Sequence, residues 1–100
     1  MDFYLLLGTE CTVTEKYMLE YRYDTQLLID GENLDEDAIS DYFETNFEGD
    51  SLLAVGDEEL IKIHYHTNEP WKVLEYCASL GEIYDIVVED MDRQARGLQG

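Results

Sequence analysis

Leu60-Ile61-Lys62-Ile63-His64-Tyr65-His66 alternates between apolar and polar side chains without a break. Successive side chains of a strand point to opposite faces, so a strict period of two marks a half-buried strand. Ile61, Ile63 and Tyr65 then share the face turned to the core, and Lys62, His64 and His66 share the other. Just upstream, Ser51 to Val55 is a short apolar run and Gly56-Asp57-Glu58 is turn chemistry, so the two runs read as a hairpin of strands two and three.

Working outward, Tyr21 to Ile29 is rich in aromatic and β-branched residues and reads as strand one, ending near Asp30-Gly31. Asp35 is the expected N-cap of a first helix: Glu36 and Asp37 suit the positive end of its dipole, and Ala38, Ile39, Tyr42, Phe43 and Phe47 recur at helical spacing. Gly49 is expected to terminate it. Thr67-Asn68 offers a cap for a second helix with Pro70 in its first turn and an apolar stripe of Val73, Leu74, Cys77 and Leu80 that stops at Gly81. Ile83 to Val88 reads as strand four, and Met91 to Gly100 has little to bury and is expected to fray. The order β-α-β-β-α-β predicts an α+β fold, the ferredoxin-like split βαβ plait: a four-stranded antiparallel sheet in spatial order 4-1-3-2 with two helices on one face. The expected organisation is an N-terminal extension at 1–19, the plait at 20–90 and a C-terminal tail at 91–100. Phe3 to Leu7 is open to two readings, an added edge strand or pairing with another subunit.

A chain of 100 residues, 45% hydrophobic and 12% aromatic, suffices for one packed core and argues against disorder. With 24 acidic and 6 basic residues the formal net charge is -18, which repels phosphate backbones and anionic headgroups, so no nucleic-acid or membrane partner is expected. That surface suits either a self-repelling cytoplasmic protein or docking onto a basic partner. The longest apolar run, Phe3 to Leu7, is too short to span a bilayer and follows Asp2 instead of a basic segment. Cys11 and Cys77 make neither a disulfide framework nor a cysteine-based zinc cluster, and Cys77 reads as a small core residue.

Strand topology concentrates the chemistry. Strands one and three are antiparallel neighbours, with Tyr23, Thr25, Leu27 and Ile29 facing the helices, so Asp24 and Gln26 stand on the open face beside His64 and His66. Two imidazoles and a carboxylate can ligate zinc or another first-row metal. The same spacing also fits two solvent-facing histidines on which Asp24 acts only by charge proximity. No glycine-rich phosphate loop is present, so no nucleotide is expected. Trp71 reads either as a partner anchor or as a partly buried aromatic at a helix start, the second being the expectation.

Gly49-Asp-Ser-Leu-Leu-Ala-Val-Gly-Asp57, Leu60-Ile-Lys-Ile-His-Tyr-His-Thr-Asn-Glu-Pro70, Val73-Leu-Glu-Tyr76, Leu80-Gly-Glu-Ile83 and Glu89-Asp-Met-Asp-Arg-Gln94 together resemble the middle domain of bacterial fatty acid kinases, among the dihydroxyacetone-kinase-like proteins. The likeness spans roughly residues 20 to 95. In that family the domain lies between an ATP-binding domain and a C-terminal domain, and acyl chains are presented by a separate fatty-acid-binding protein. Its His-x-His-Thr corresponds to His64, Tyr65, His66 and Thr67, and the resemblance implies a metal site on those histidines with a cysteine from a Tyr-Cys-Thr-Glu segment. Here that segment reads Tyr23-Asp-Thr-Gln26, so Asp24 offers a harder carboxylate in place of a thiolate.

The expected function is a stand-alone accessory, interaction or regulatory module of a fatty-acid-kinase-like system, zinc-binding through Asp24, His64 and His66, without kinase activity alone. Its expected partners are a kinase-type ATP-binding chain, a fatty-acid-binding protein or a second copy forming a homodimer. The enzyme alternative is a metal-dependent hydrolase or one part of a split kinase using the same three residues. A small-ligand sensor on the open sheet face is a third reading.

Overall fold

A computed structural model of the chain describes residues 19–100. The alternating segment forms β3 (Leu60–Thr67), an inner strand of a four-stranded sheet whose other members are β1 (Tyr23–Gly31), β2 (Gly49–Gly56) and β4 (Gly81–Asp90). Two long helices, α1 (Glu36–Asn46) and α2 (Pro70–Leu80), connect them, and a short α3 (Met91–Ala95) follows. The sheet order is β2-β3-β1-β4 with every neighbouring pair antiparallel, the order expected for the plait. The fold is α+β, a split βαβ plait. The expected extension and its Phe3 to Leu7 segment fall outside the described residues, apart from Leu19.

Hydrophobic burial on one side of the sheet drives this arrangement. Thr25, Leu27 and Ile29 of β1 and Ile61, Ile63 and Tyr65 of β3 are buried against Ile39 and Phe43 of α1 and Val73 and Cys77 of α2. Each large apolar side chain so enclosed contributes about 1.5–3 kcal/mol. Aromatic packing completes the layer: Phe43 stands edge-on to Tyr65 at 5.0 Å and to Phe47 at 5.1 Å, and Tyr42 stacks on Tyr76 at 3.7 Å. Burial also pushes the Cys77 thiol up to about 12, which keeps it protonated and unreactive, as suits a core residue.

Beyond shifts of about two residues at strand ends, the structure departs from the sequence reading in four places. The first helix starts as expected, with Asp35 accepting from the backbone N–H groups of Asp37 and Ala38 at 3.0 and 3.2 Å, but it stops at Asn46, short of Gly49. Phe47 turns extended and keeps its ring against Phe43 and Tyr42. Gly49 instead opens β2, where a Cβ would lie 2.3 Å from the His66 carbonyl oxygen and 2.4 Å from the Tyr65 ring. At the second helix the N-cap position is Glu69, whose side chain makes no cap bond. Thr67 Oγ1 accepts from Glu69 N–H at 3.2 Å, while Asn68 accepts from Arg22 N–H at 2.8 Å and donates to the Glu20 carbonyl at 3.0 Å, pinning the approach to β1.

The third departure is the C-terminal segment. Met91–Ala95 is helical, not frayed, because polar groups hold it where apolar burial is lacking. Asp90 accepts from Asp92 and Arg93 N–H at 3.0 and 3.1 Å, and the Arg22 guanidinium grips the same carboxylate at 2.8 to 3.0 Å. Arg22 thereby holds the Asp90 carboxyl down at about 2. The fourth is Trp71, which is 60% exposed. The core-facing stripe of α2 is Pro70, Val73 and Cys77, and one residue on from Pro70 turns about 100° away from it.

Candidate metal centre

The inner strands β1 and β3 carry the site. Their register sets Asp24 opposite His66 and Gln26 opposite His64, so all four side chains stand on the face that the helices of the described residues leave open. The sequence reading named Asp24, His64 and His66, and the structure brings these three together. One ligand atom from each lies within 4.8 Å of the others.

The rings converge through their Nε2 atoms, which are 3.1 Å apart, with ring centroids 4.9 Å apart. Asp24 Oδ1 is 3.6 Å from His64 Nδ1 and 3.9 Å from His66 Nε2. The side chains are half-buried, 17% exposed for Asp24, 27% for His64 and 24% for His66. Which Nε2 donates and which accepts across this distance is set by the tautomers of the two rings. Two nitrogens each about 2 Å from a tetrahedral zinc ion stand about 3.3 Å apart, so the spacing already matches a shared cation to a few tenths of an ångström. The donor set fits a borderline first-row ion: two nitrogens and one oxygen, with coordination positions left over on the open side.

Two further side chains complete the surroundings. Gln26 Nε2 reaches both Asp24 oxygens, at 3.4 and 3.3 Å, long contacts that steady the carboxylate. Asp50 of β2 lies across from His66 on the side away from β1, with Oδ1 3.5 Å from His66 Nδ1. Sequence reasoning missed Asp50 because it placed the start of strand two at Ser51. Extending the hairpin back without a bulge sets Ser51, not Asp50, opposite His66, and only the register shift between Asp50 and Leu53 brings Asp50 there.

No helix among the described residues is long and apolar enough to cross a membrane. Residues 20–98 match the family described as the FakA-like middle domain of fatty acid kinase. Uncharacterized proteins of Staphylococcus aureus, from strains USA300 and COL, are 48% identical to this chain over 48 residues. That stretch is 48% of this chain and 9% of each relative, so the chain matches a small part of the curated proteins it resembles. With the match covering the plait and the short helix after it, the chain belongs to the FakA-like middle-domain family of the fatty acid kinases.

Proposed function

We propose that this domain is an accessory module of a fatty-acid-kinase-like system, and that it holds zinc on Asp24, His64 and His66 instead of phosphorylating a substrate itself. The observation that carries the reading is the convergence of two imidazole Nε2 atoms at 3.1 Å beside a carboxylate, on the sheet face that the helices of the described residues leave open. When bound, zinc supplies positive charge and Lewis acidity at a surface that is otherwise strongly acidic. The three residues come from two adjacent strands, so a shared ion ties β1 to β3 at the ends where Tyr23 pairs with Thr67. Ligand exchange at the remaining positions gives the module a means of joining a partner chain. Among the described residues β4 is an edge strand with Tyr84, Ile86, Val87 and Val88 exposed, which supports a protein contact of the same system.

The test is the metal content of protein purified without an affinity tag, for the natural chain and for the His64→Ala, His66→Ala double variant. Near-stoichiometric zinc in the first and none in a still-folded second is the expected result. Zinc in neither removes the metal reading. Chelator-sensitive formation of acyl phosphate from ATP and a fatty acid by this chain alone would overturn the accessory role.

A further inference from the structure

We propose that Asp50 is the positioning residue of this centre, fixing His66 in the ring orientation and tautomer that present Nε2 to the ion. The inference rests on the metal reading above and adds a residue to it.

His66 is flanked on both sides by carboxylates in a single cross-strand row, Asp50 of β2 and Asp24 of β1. The two address different ring nitrogens. Asp50 Oδ1 is 3.5 Å from Nδ1, whereas Asp24 Oδ1 and the neighbouring imidazole lie near Nε2. An imidazole with a carboxylate at Nδ1 carries its proton there and leaves the Nε2 lone pair for a ligand role. Metal-bound histidines generally have such an outer partner, which also raises the basicity of the ligating nitrogen. The distance of 3.5 Å is longer than a hydrogen bond, so the Asp50 oxygen has to approach by several tenths of an ångström to accept from Nδ1–H.

The backbone of β2 is shaped to put a carboxylate at this place. Between Asp50 and Leu53 the β2–β3 register shifts by one residue, so β2 spends one more residue than β3. Ser51 accommodates the bulge at φ 58, a left-handed conformation that a non-glycine residue adopts only under constraint. Immediately before Asp50, Gly49 brings the two backbones so close that a side chain would strike the His66 carbonyl. Close approach followed by a bulge presents Asp50 to His66, while His64 faces apolar Leu53 and has no such partner on β2. Asp50 is also 57% exposed, and among the described residues its side chain makes no ion pair other than the contact with His66.

The experiment uses the full chain with Asp50→Ala and Asp50→Asn. Zinc affinity is measured by competition with a chromogenic chelator, and the protonation of the His66 ring nitrogens by their nitrogen-15 chemical shifts in zinc-free protein. Asp50→Ala is expected to weaken zinc by about 10- to 100-fold while binding still saturates at the natural stoichiometry. Asp50→Asn, which keeps an oxygen acceptor without the charge, should fall between. The His66 proton should sit on Nδ1 in the natural chain and shift toward Nε2 in Asp50→Ala. Tight zinc with unchanged affinity in Asp50→Ala overturns the Asp50 role and leaves the metal site standing. Equal losses in the two variants with an unmoved tautomer reduce Asp50 to a bare charge and overturn positioning. Absence of zinc from the natural chain removes the site and the role together.

Discussion

The two faces of β3 are made from alternate residues of one peptide, yet they carry opposite burdens. Ile61, Ile63 and Tyr65 are sealed under α1 and α2, whereas His64 and His66 stand half-open on the other side. The covered side stabilises the fold through apolar area, which scales with what is removed from water. The open side adds little stability, because polar groups there exchange water for one another. A sheet covered on one face therefore offers a stable scaffold and a separately adjustable site in the same few residues.

The strongest way to break that separation is through the covered side. Phe43 is fully buried and holds both Tyr65 and Phe47 edge-on, so Phe43→Ala should cost about 3–5 kcal/mol, read from urea unfolding of the metal-free chain. If the proposed centre takes zinc, the affinity of the remaining folded molecules should be unchanged. A folded Phe43→Ala chain that no longer takes zinc would show that the two faces are coupled.

The same contrast explains what could be read in the sequence. Alternation from Leu60 to His66 gave both the strand and its two faces, and the β-α-β-β-α-β order then brought Asp24 beside the histidines, because pairing in a plait follows from topology. Asp50 was hidden by the bulge at Ser51, where a backbone φ of 58 leaves no mark in the residue type. Gly49 was assigned to a helix end because glycine has two uses, permissive backbone and close approach, and the residue alone does not say which. Trp71 was expected to pack because it is aromatic, but its place on α2 is set by the buried stripe of Pro70, Val73 and Cys77. The residues after Asp90 were judged by apolar content, a test blind to a helix held by polar caps.

That polar attachment sharpens the comparison at intermediate strength, because it should fail under acid while the core persists. Arg22 holds Asp90 at about 2, well below its ordinary 3.8. A carboxyl lowered in the folded state stabilises above its unfolded value and loses that contribution as pH falls through the folded one. Between 3.8 and about 2, α3 should therefore release in the natural chain, seen as loss of amide-exchange protection at Met91 to Leu98. In Arg22→Ala the release should already be under way nearer pH 4, about the ordinary range of an aspartate. Identical acid profiles in the two chains would mean that α3 is held by the backbone bond from Met91 N–H to the Arg22 carbonyl instead.

The smallest expected effect belongs to Trp71. An indole is the largest apolar side chain, and if size alone governed stability its removal would rival that of Phe43. Exposure predicts otherwise. With 60% of the residue in solvent and the α2 stripe complete without it, Trp71→Ala should change stability by no more than about 0.5 kcal/mol and leave zinc affinity untouched. A loss of more than about 1 kcal/mol would mean that the unexposed part of the side chain encloses more than its exposed fraction suggests. In that case the boundary between the supporting and adjustable parts of the molecule runs through α2 as well as through the sheet.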